Sequence, residues 1–333
     1  MNISKFASGD DKMIEISVQK AKQGDSIWIR CLSDENAVNI VIDAGPSTFQ
    51  NGFKNMVKEI KKIKERINLL IFSHIDDDHI RGIISYLQKD EEKIIDKVWI
   101  NGHGISVYRM NQEHSTKNVS SLVELLQDKN ILVETPILEG KEYHLKNGIV
   151  KVIAPTEEEI INVAKKIDKY GDDSSGREHA SVWYAGDIKK APDSLASDPS
   201  PTNKASIIIV LEYDGRKLLF TGDAPAKNII KSVEKYYPEA KFEIVKLPHH
   251  GSQRNISREL IQKLNADRFI ISTNKKIEKI VLRRFIEERE ETEILCNYTW
   301  WKNGYFTGND MREIIDTGKL SMRDIGEEKV VLR

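Results

Sequence analysis

The chain has 333 residues, 39% of them apolar and 31% charged, a composition that describes a globular protein and excludes a disordered one. Its 51 Lys and Arg against 52 Asp and Glu leave a formal net charge of −1, so the field of the whole molecule does not announce a nucleic-acid binder. No apolar run approaches the roughly 18 residues of a membrane helix, and the opening MNISKFASGDDK lacks a signal peptide's apolar core, so a cytoplasmic location without a membrane partner is expected.

Met13 to Val18, Ser26 to Cys31 and Val38 to Ile42 read as short strands rich in β-branched residues. Gln23-Gly24-Asp25 and Asp34-Glu35-Asn36 supply turn chemistry between them, and Asp43-Ala44-Gly45-Pro46 ends the third. Phe53 to Ile67 has helical spacing, and its lysine-rich stretch, Lys54 to Arg66, reads as a solvated outer face. Asn68 to Phe72 (NLLIF) is almost wholly apolar, as a strand buried on both faces is. It runs straight into Ser73-His74-Ile75-Asp76-Asp77-Asp78-His79 before a helix resumes over Ile80 to Leu87. Polar residues massed where a buried strand ends are how α/β scaffolds present a site.

Further strands are expected at Lys97 to Asn101 and Val150 to Ala154, with a helix at Ser120 to Gln127 between them. The polar stretch around 169–203 reads as an insertion or flexible loop, with a short strand at Val182 to Ala185. Ala205 to Tyr213, the turn Asp214-Gly215 and Lys217 to Thr221 form a hairpin. Helix Ala226 to Tyr236, strand Phe242 to Leu247, helix Arg258 to Asn265 and strand Arg268 to Ser272 complete the pattern. Two batches of strands, each followed by helices, predict two packed sheets with helices outside. One large α/β domain is expected over residues 1–275, with 276–333 a helix and an aromatic tail (Tyr298, Trp300, Trp301, Tyr305, Phe306) packed back on it. The two cysteines, Cys31 and Cys296, have no metal-binding spacing and read as buried small apolar residues.

His74, Asp76, Asp78 and His79 place four potential metal ligands within six residues. Alternate positions of an extended segment share a side, so His74, Asp76 and Asp78 converge, and His79 joins them as the chain turns into a helix. Asp77 falls on the other phase and should face solvent or stand behind the ligands. A helix cap needs one such residue, not four. Imidazole with carboxylate suits a divalent cation, Zn²⁺ or Mn²⁺ or Fe²⁺, rather than a thiolate-loving metal. Thr221-Gly222-Asp223 ends a second apolar strand with a carboxylate, and Lys246-Leu247-Pro248-His249-His250-Gly251-Ser252 ends a third with two histidines. Adjacent side chains diverge, so one histidine is expected on the metal and the other on substrate or behind a ligand.

In this order these residues resemble the metallo-β-lactamase superfamily, in the variant of its His-x-His-x-Asp-His motif where aspartate replaces the second histidine. Gly24-Asp25-Ser26, Ile42 to Gly45 (IDAG), Asn203 to Ser206 (NKAS), LLFTGDA and KLPHHGS are similar to one subgroup: the hydrolase domain of the bacterial competence DNA-uptake channel and its stand-alone soluble relatives. The resemblance spans residues 13–274. It implies a four-layer αβ/βα sandwich with one or two ions at one edge. His74, Asp76, Asp78 and His79 would be ligands, Asp223 the bridging carboxylate, and His249 or His250 a ligand or substrate contact, with His249 assigned to the metal and His250 to catalysis. Asp43 would brace the site from behind. One departure stands out: relatives carry a late Gly-His-Pro histidine that completes the second ion, whereas here Ser272-Thr273-Asn274 is followed by Lys275-Lys276-Ile277-Glu278. The second ion would then be weakly held, differently ligated or absent, with His103 and His179 as conceivable replacements.

Between two ions a water would be deprotonated near neutral pH and attack phosphorus or a carbonyl carbon. Asp78 would orient it, and Lys246, Ser252 and Asn255 could steady a phosphate. The leading expectation is a phosphodiesterase or nuclease acting on DNA. A small-molecule hydrolase of a lactone, thioester or nucleotide is the alternative, and a degenerate non-catalytic module in a larger complex is the third. The stand-alone relatives also suggest an anti-phage defence setting, with an NTPase or other protein as partner.

Overall fold

In the computed structural model, residues 12–33, 36–89, 94–101, 115–162, 184–193 and 196–333 are described. The alternating and near-continuous apolar runs assemble into two sheets. The first holds β1 (Met13–Val18), β2 (Ile27–Ser33), β3 (Asn36–Ile42), β4 (Ile67–Ile71), β5 (Lys97–Trp99) and β6 (Leu132–Glu134), with β15 (Val330–Leu332) beside β1. The second runs β14 (Leu320–Asp324), β13 (Thr292–Cys296), β12 (Ala266–Ile271), β11 (Phe242–Lys246), β10 (Arg216–Phe220), β9 (Ile208–Tyr213), β8 (Gly148–Ala154), β7 (Glu142–Leu145).

Three apolar layers separate four structural ones. Ile14, Ile16, Leu69, Ile71, Leu218, Ile244, Ile270 and Leu295 fill the space between the sheets. Outside the first sheet, Phe53, Met56, Val57 and Ile60 of the helix Gln50–Lys62 pack on Val41, Leu70 and Val98. Outside the second, the helices Ala226–Tyr236, Arg258–Lys263 and Lys279–Glu288 cover Leu219, Val245 and Phe269. Burial of every apolar face therefore selects the αβ/βα sandwich expected from the two batches of strands. Lys58 and Lys62 of the lysine-rich helix are exposed, and Cys31 and Cys296 are buried.

Two local readings differ from the structure. The helix after β4 begins at Asp77, so Asp78 sits in a helical turn and not on an extended run; the carbonyl of Asp76 accepts from the His79 amide at 2.9 Å and sets that start. Residues 276–333 hold more than a helix and a tail, because β13 and β14 extend the second sheet while β15 pairs with β1 of the first. The aromatic residues Trp300 and Tyr305 lie in the core beneath them, with Tyr298, Trp301 and Phe306 packed against it. Of the polar stretch, residues 163–183 and 194–195 lie outside the described residues, and with them His179 and the first half of the strand read at Val182 to Ala185, of which Tyr184 and Ala185 are described and lie in no strand; His103 lies outside as well. The described part is firmly tied: Lys279 Nζ donates to Gly186 O at 2.6 Å, Asp310 accepts from the Ile188 amide at 2.7 Å, and Arg284 pairs with Asp193.

Candidate metal centre

The exits of β3, β4, β10 and β11 meet at one edge of the sandwich. Asp43 follows β3, Ser73 to His79 follow β4, Asp223 follows β10 and Lys246 to His250 end β11. The two sheets touch there, with the Ile207 amide donating to Ser73 O at 2.7 Å. Gly222 makes that approach feasible. Its φ is +53°, and a Cβ on it would stand 3.0 Å from that of Ser73.

Asp223 is the hub. Its Oδ2 lies 3.5 Å from His79 Nε2, 3.5 Å from His250 Nε2, 3.8 Å from His249 Nε2 and 4.0 Å from His74 Nε2. Asp76 Oδ2 is 3.5 Å from His74 Nε2, and the two oxygens of Asp78 stand 3.9 Å from His79 Nε2 and 3.7 Å from His250 Nε2. The structure thus gathers His74, Asp76, Asp78, His79, Asp223 and His249 around one point. His250 joins them. His249 and His250 have φ of +47° and +55°, and this left-handed pair turns both adjacent side chains inward. The expected divergence of neighbours assumed an extended backbone, which this turn does not have. Asp77 does face away, half exposed and paired with Arg81.

Each histidine is held from behind. His79 Nδ1 donates to Asp43 Oδ2 at 2.8 Å, His249 Nδ1 to Asp198 Oδ2 at 2.9 Å and His250 Nδ1 to Ser272 O at 3.1 Å. Ser73 Oγ donates to Asp43 Oδ2 at 2.7 Å, which leaves its lone pair for His74 Nδ1 at 3.0 Å. With Nδ1 anchored four times, every Nε2 faces Asp223, the arrangement that orients imidazoles on a cation.

The electrostatics ask for positive charge. Burial alone would raise the Asp223 carboxyl, but His250, His79 and His249 hold it well below the usual carboxylate range. Burial opposes a proton on His250, yet Asp223 and Asp25 push its value up to about 10. His79 is raised well above the ordinary histidine value by Asp223, Asp43 and Asp78, again against burial. Without a cation, protons on His79, His249 and His250 offset the carboxylates.

A divalent ion fits these residues. His79 Nε2, His250 Nε2, Asp223 Oδ1 and Asp25 Oδ1 are all buried without a hydrogen-bond partner. One ligand atom from each of these four residues lies within 4.8 Å of the others. Buried polar atoms left unpaired cost about 1–3 kcal/mol each, and a cation among them removes that cost.

Two residues of the site were not read from the sequence as site residues. Asp25 had appeared only as part of a turn, although Gly24-Asp25-Ser26 is one of the pieces that carry the resemblance. Asp198 lay in the polar stretch, where Ser-Asp-Pro-Ser-Pro gives no periodic signal. It is 5% exposed and also accepts from Asn203 Nδ2 at 2.7 Å and Asn255 Nδ2 at 2.8 Å. Asn255 is fully buried and further donates to Asp223 O at 3.0 Å, so it braces the site from inside. Lys246 is equally buried, with its ammonium on Asp25 and 4.0 Å from Asp223 Oδ1. Ser252 is half-buried, and its Oγ accepts from the Arg254 amide at 3.3 Å.

No protein-family model matches the chain. Over 80 residues it is 34% identical to ComE operon protein 3 of Bacillus subtilis (strain 168), a match that takes in 24% of this chain and only 10% of that protein. Superposed on the metallo-beta-lactamase fold protein YhfI from Bacillus subtilis, 97% of this chain and 99% of that one are covered, at a TM-score of 0.40 and 8% identity. Zn(2+)-bound PqqB from Methylobacterium extorquens is covered to 99% by 96% of this chain, at a TM-score of 0.45 and 9% identity.

Proposed function

We propose that this chain is a metal-dependent hydrolase that cuts phosphodiester bonds, with DNA as its first substrate. The observation that carries the reading is the ring of four imidazole Nε2 atoms around Asp223, each fixed through its Nδ1. Bound divalent ions supply Lewis-acid activation of a phosphoryl oxygen and acidification of water. The chain's own residues do the rest. His74, Asp76, Asp78, His79, Asp223 and His249 hold the ions. Burial would raise the Asp78 carboxyl, but His79 and His250 hold it well below the usual carboxylate range, so it stays ionised beside the ions. Asp43 and Asp198 keep the imidazoles in register and exclude alternative rotamers.

The loops beside the site favour an anionic substrate. The amide of Asn274 donates to Lys22 O at 3.0 Å, next to Ser272 that holds His250, and Lys22, Lys275 and Lys276 are exposed there. Arg254, half-buried, follows Ser252 on the neighbouring loop. Cations so placed contact a phosphate backbone, and binding through them weakens as salt rises.

Cleavage of labelled single- and double-stranded DNA with added Mn²⁺ or Zn²⁺, comparing the wild type with His79→Ala, tests the proposal. Metal-dependent cleavage that disappears in the variant is expected. Intact DNA under every metal, together with turnover of a lactone or thioester, would replace the phosphodiesterase reading with a small-molecule one.

A further inference from the structure

The late histidine expected to complete a second ion site is absent from Ser272 to Glu278, and the cluster shows what stands in its place. Around Asp223, His74 Nε2 lies 3.5 Å from Asp76 Oδ2. His79, His250 and Asp25 form with Asp223 a set whose ligand atoms lie within 4.8 Å of one another, and Asp78 stands 3.9 Å from His79 Nε2 and 3.7 Å from His250 Nε2. His79 Nε2, His250 Nε2, Asp223 Oδ1 and Asp25 Oδ1, the unpartnered buried ligand atoms, all belong to that set.

Each of the two added residues is pre-set for a cation. His250 Nδ1 donates to Ser272 O at 3.1 Å, which leaves Nε2 as the nitrogen for a cation, and the left-handed backbone at φ +55° turns that atom toward Asp223. Asp25 Oδ2 is taken by the ammonium of Lys246, while the buried Oδ1, 3.5 Å from His250 Nδ1, has no hydrogen bond. A cation at about 2.0–2.2 Å from its ligands keeps them at most ~4.4 Å apart, so the set needs to close by only about 0.4 Å.

We infer that Asp25 and His250, with His79 and Asp223, form a complete second cation site that dispenses with the late histidine, and that Lys246 is the positioning residue that aims Asp25. The inference rests on the reading of the cluster as a metal centre.

Co²⁺ titration of the full chain, followed by visible absorption and by native mass spectrometry, tests it. The wild type should bind two ions. Asp25→Asn and His250→Ala should each bind one, the second equivalent weakened at least ~100-fold, because removing a ligand exceeds the loss from removing an outer partner. Asp76→Asn should also bind one, by losing the other position. Circular dichroism in chelator checks the folds. Since Asp25→Asn leaves a buried ammonium without its counter-charge, His250→Ala decides the matter if that variant does not fold. Two ions at wild-type affinity in folded His250→Ala would overturn the inference and leave the metal centre standing. No ion in the wild type would overturn both.

Discussion

A histidine that binds a cation through Nε2 is oriented by the partner of its Nδ1, and for His249 that partner is Asp198. Asp198 is held low, to about 2: burial works against its charge, but hydrogen bonds from His249, Asn203 and Asn255 outweigh it. Asp198→Ala should therefore weaken metal binding by roughly 10–100-fold, as loss of such an outer carboxylate does, while the fold survives. Isothermal titration with Zn²⁺ reads this directly, and an unchanged affinity would remove Asp198 from the site. The protons matter in the same way. His79, His249 and His250 are all raised above the ordinary histidine value, so the metal-free protein holds protons that a cation must displace. Metal affinity should rise with pH, and proton uptake by the buffer should accompany binding. For the metal-free protein the sign is opposite. A histidine raised from ~6.5 contributes stability that is complete below that pH and is lost as pH climbs toward the folded value, about 10 for His250. Melting temperature without metal should fall from pH 6.5 upward. A flat profile would show that these histidines are neutral in the metal-free state.

At the scale of elements, the site depends on three turns that carry side chains across the gap between sheets. The β1–β2 turn brings Asp25 in because Gly24 has no side chain: a Cβ there would lie 1.9 Å from Asp78 O. Gly24→Ala must push the turn and the Asp76–His79 segment apart, so it should lower metal affinity together with melting temperature, measured by titration and calorimetry. An alanine variant with native affinity would show that the turn has slack. How far these elements were legible differs for physical reasons. His74, Asp76, Asp78 and His79 could be seen because a strongly apolar strand runs into them, and the sheet period makes that contrast stand out. The inward turn of His249 and His250 could not, because a left-handed backbone at non-glycine residues leaves no mark in composition. Asp198 was hidden too, since its contacts with His249 and Asn255 come from far along the chain.

For the molecule as a whole, the four layers followed from the alternation of strands and helices, and the structure has them. What escaped was the closing segment. β13 and β14 are parallel additions at the far edge of the second sheet, and β15 returns to pair Val330 with Ile16 and Leu332 with Ile14. Thr292 to Cys296 is short, follows a charged stretch and runs into Asn297-Tyr298-Thr299-Trp300-Trp301, so no long periodic run betrays it. The segment also clamps the loop before Asp198: Lys279 bonds Gly186 O and Asp310, while Arg284 pairs with Asp193. Truncation after residue 275 should then cost the fold and not only a tail, giving insoluble or molten protein by circular dichroism and gel filtration. A soluble, cooperatively melting truncation would contradict this. The most direct measurement is anomalous diffraction from crystals grown with Mn²⁺. A peak about 2.0–2.2 Å from the Asp223 carboxylate, facing the imidazole Nε2 atoms, is the expected result. Well-ordered Asp223, His79 and His250 with no anomalous scatterer between them at saturating Mn²⁺ would contradict the metal centre and the hydrolase built on it.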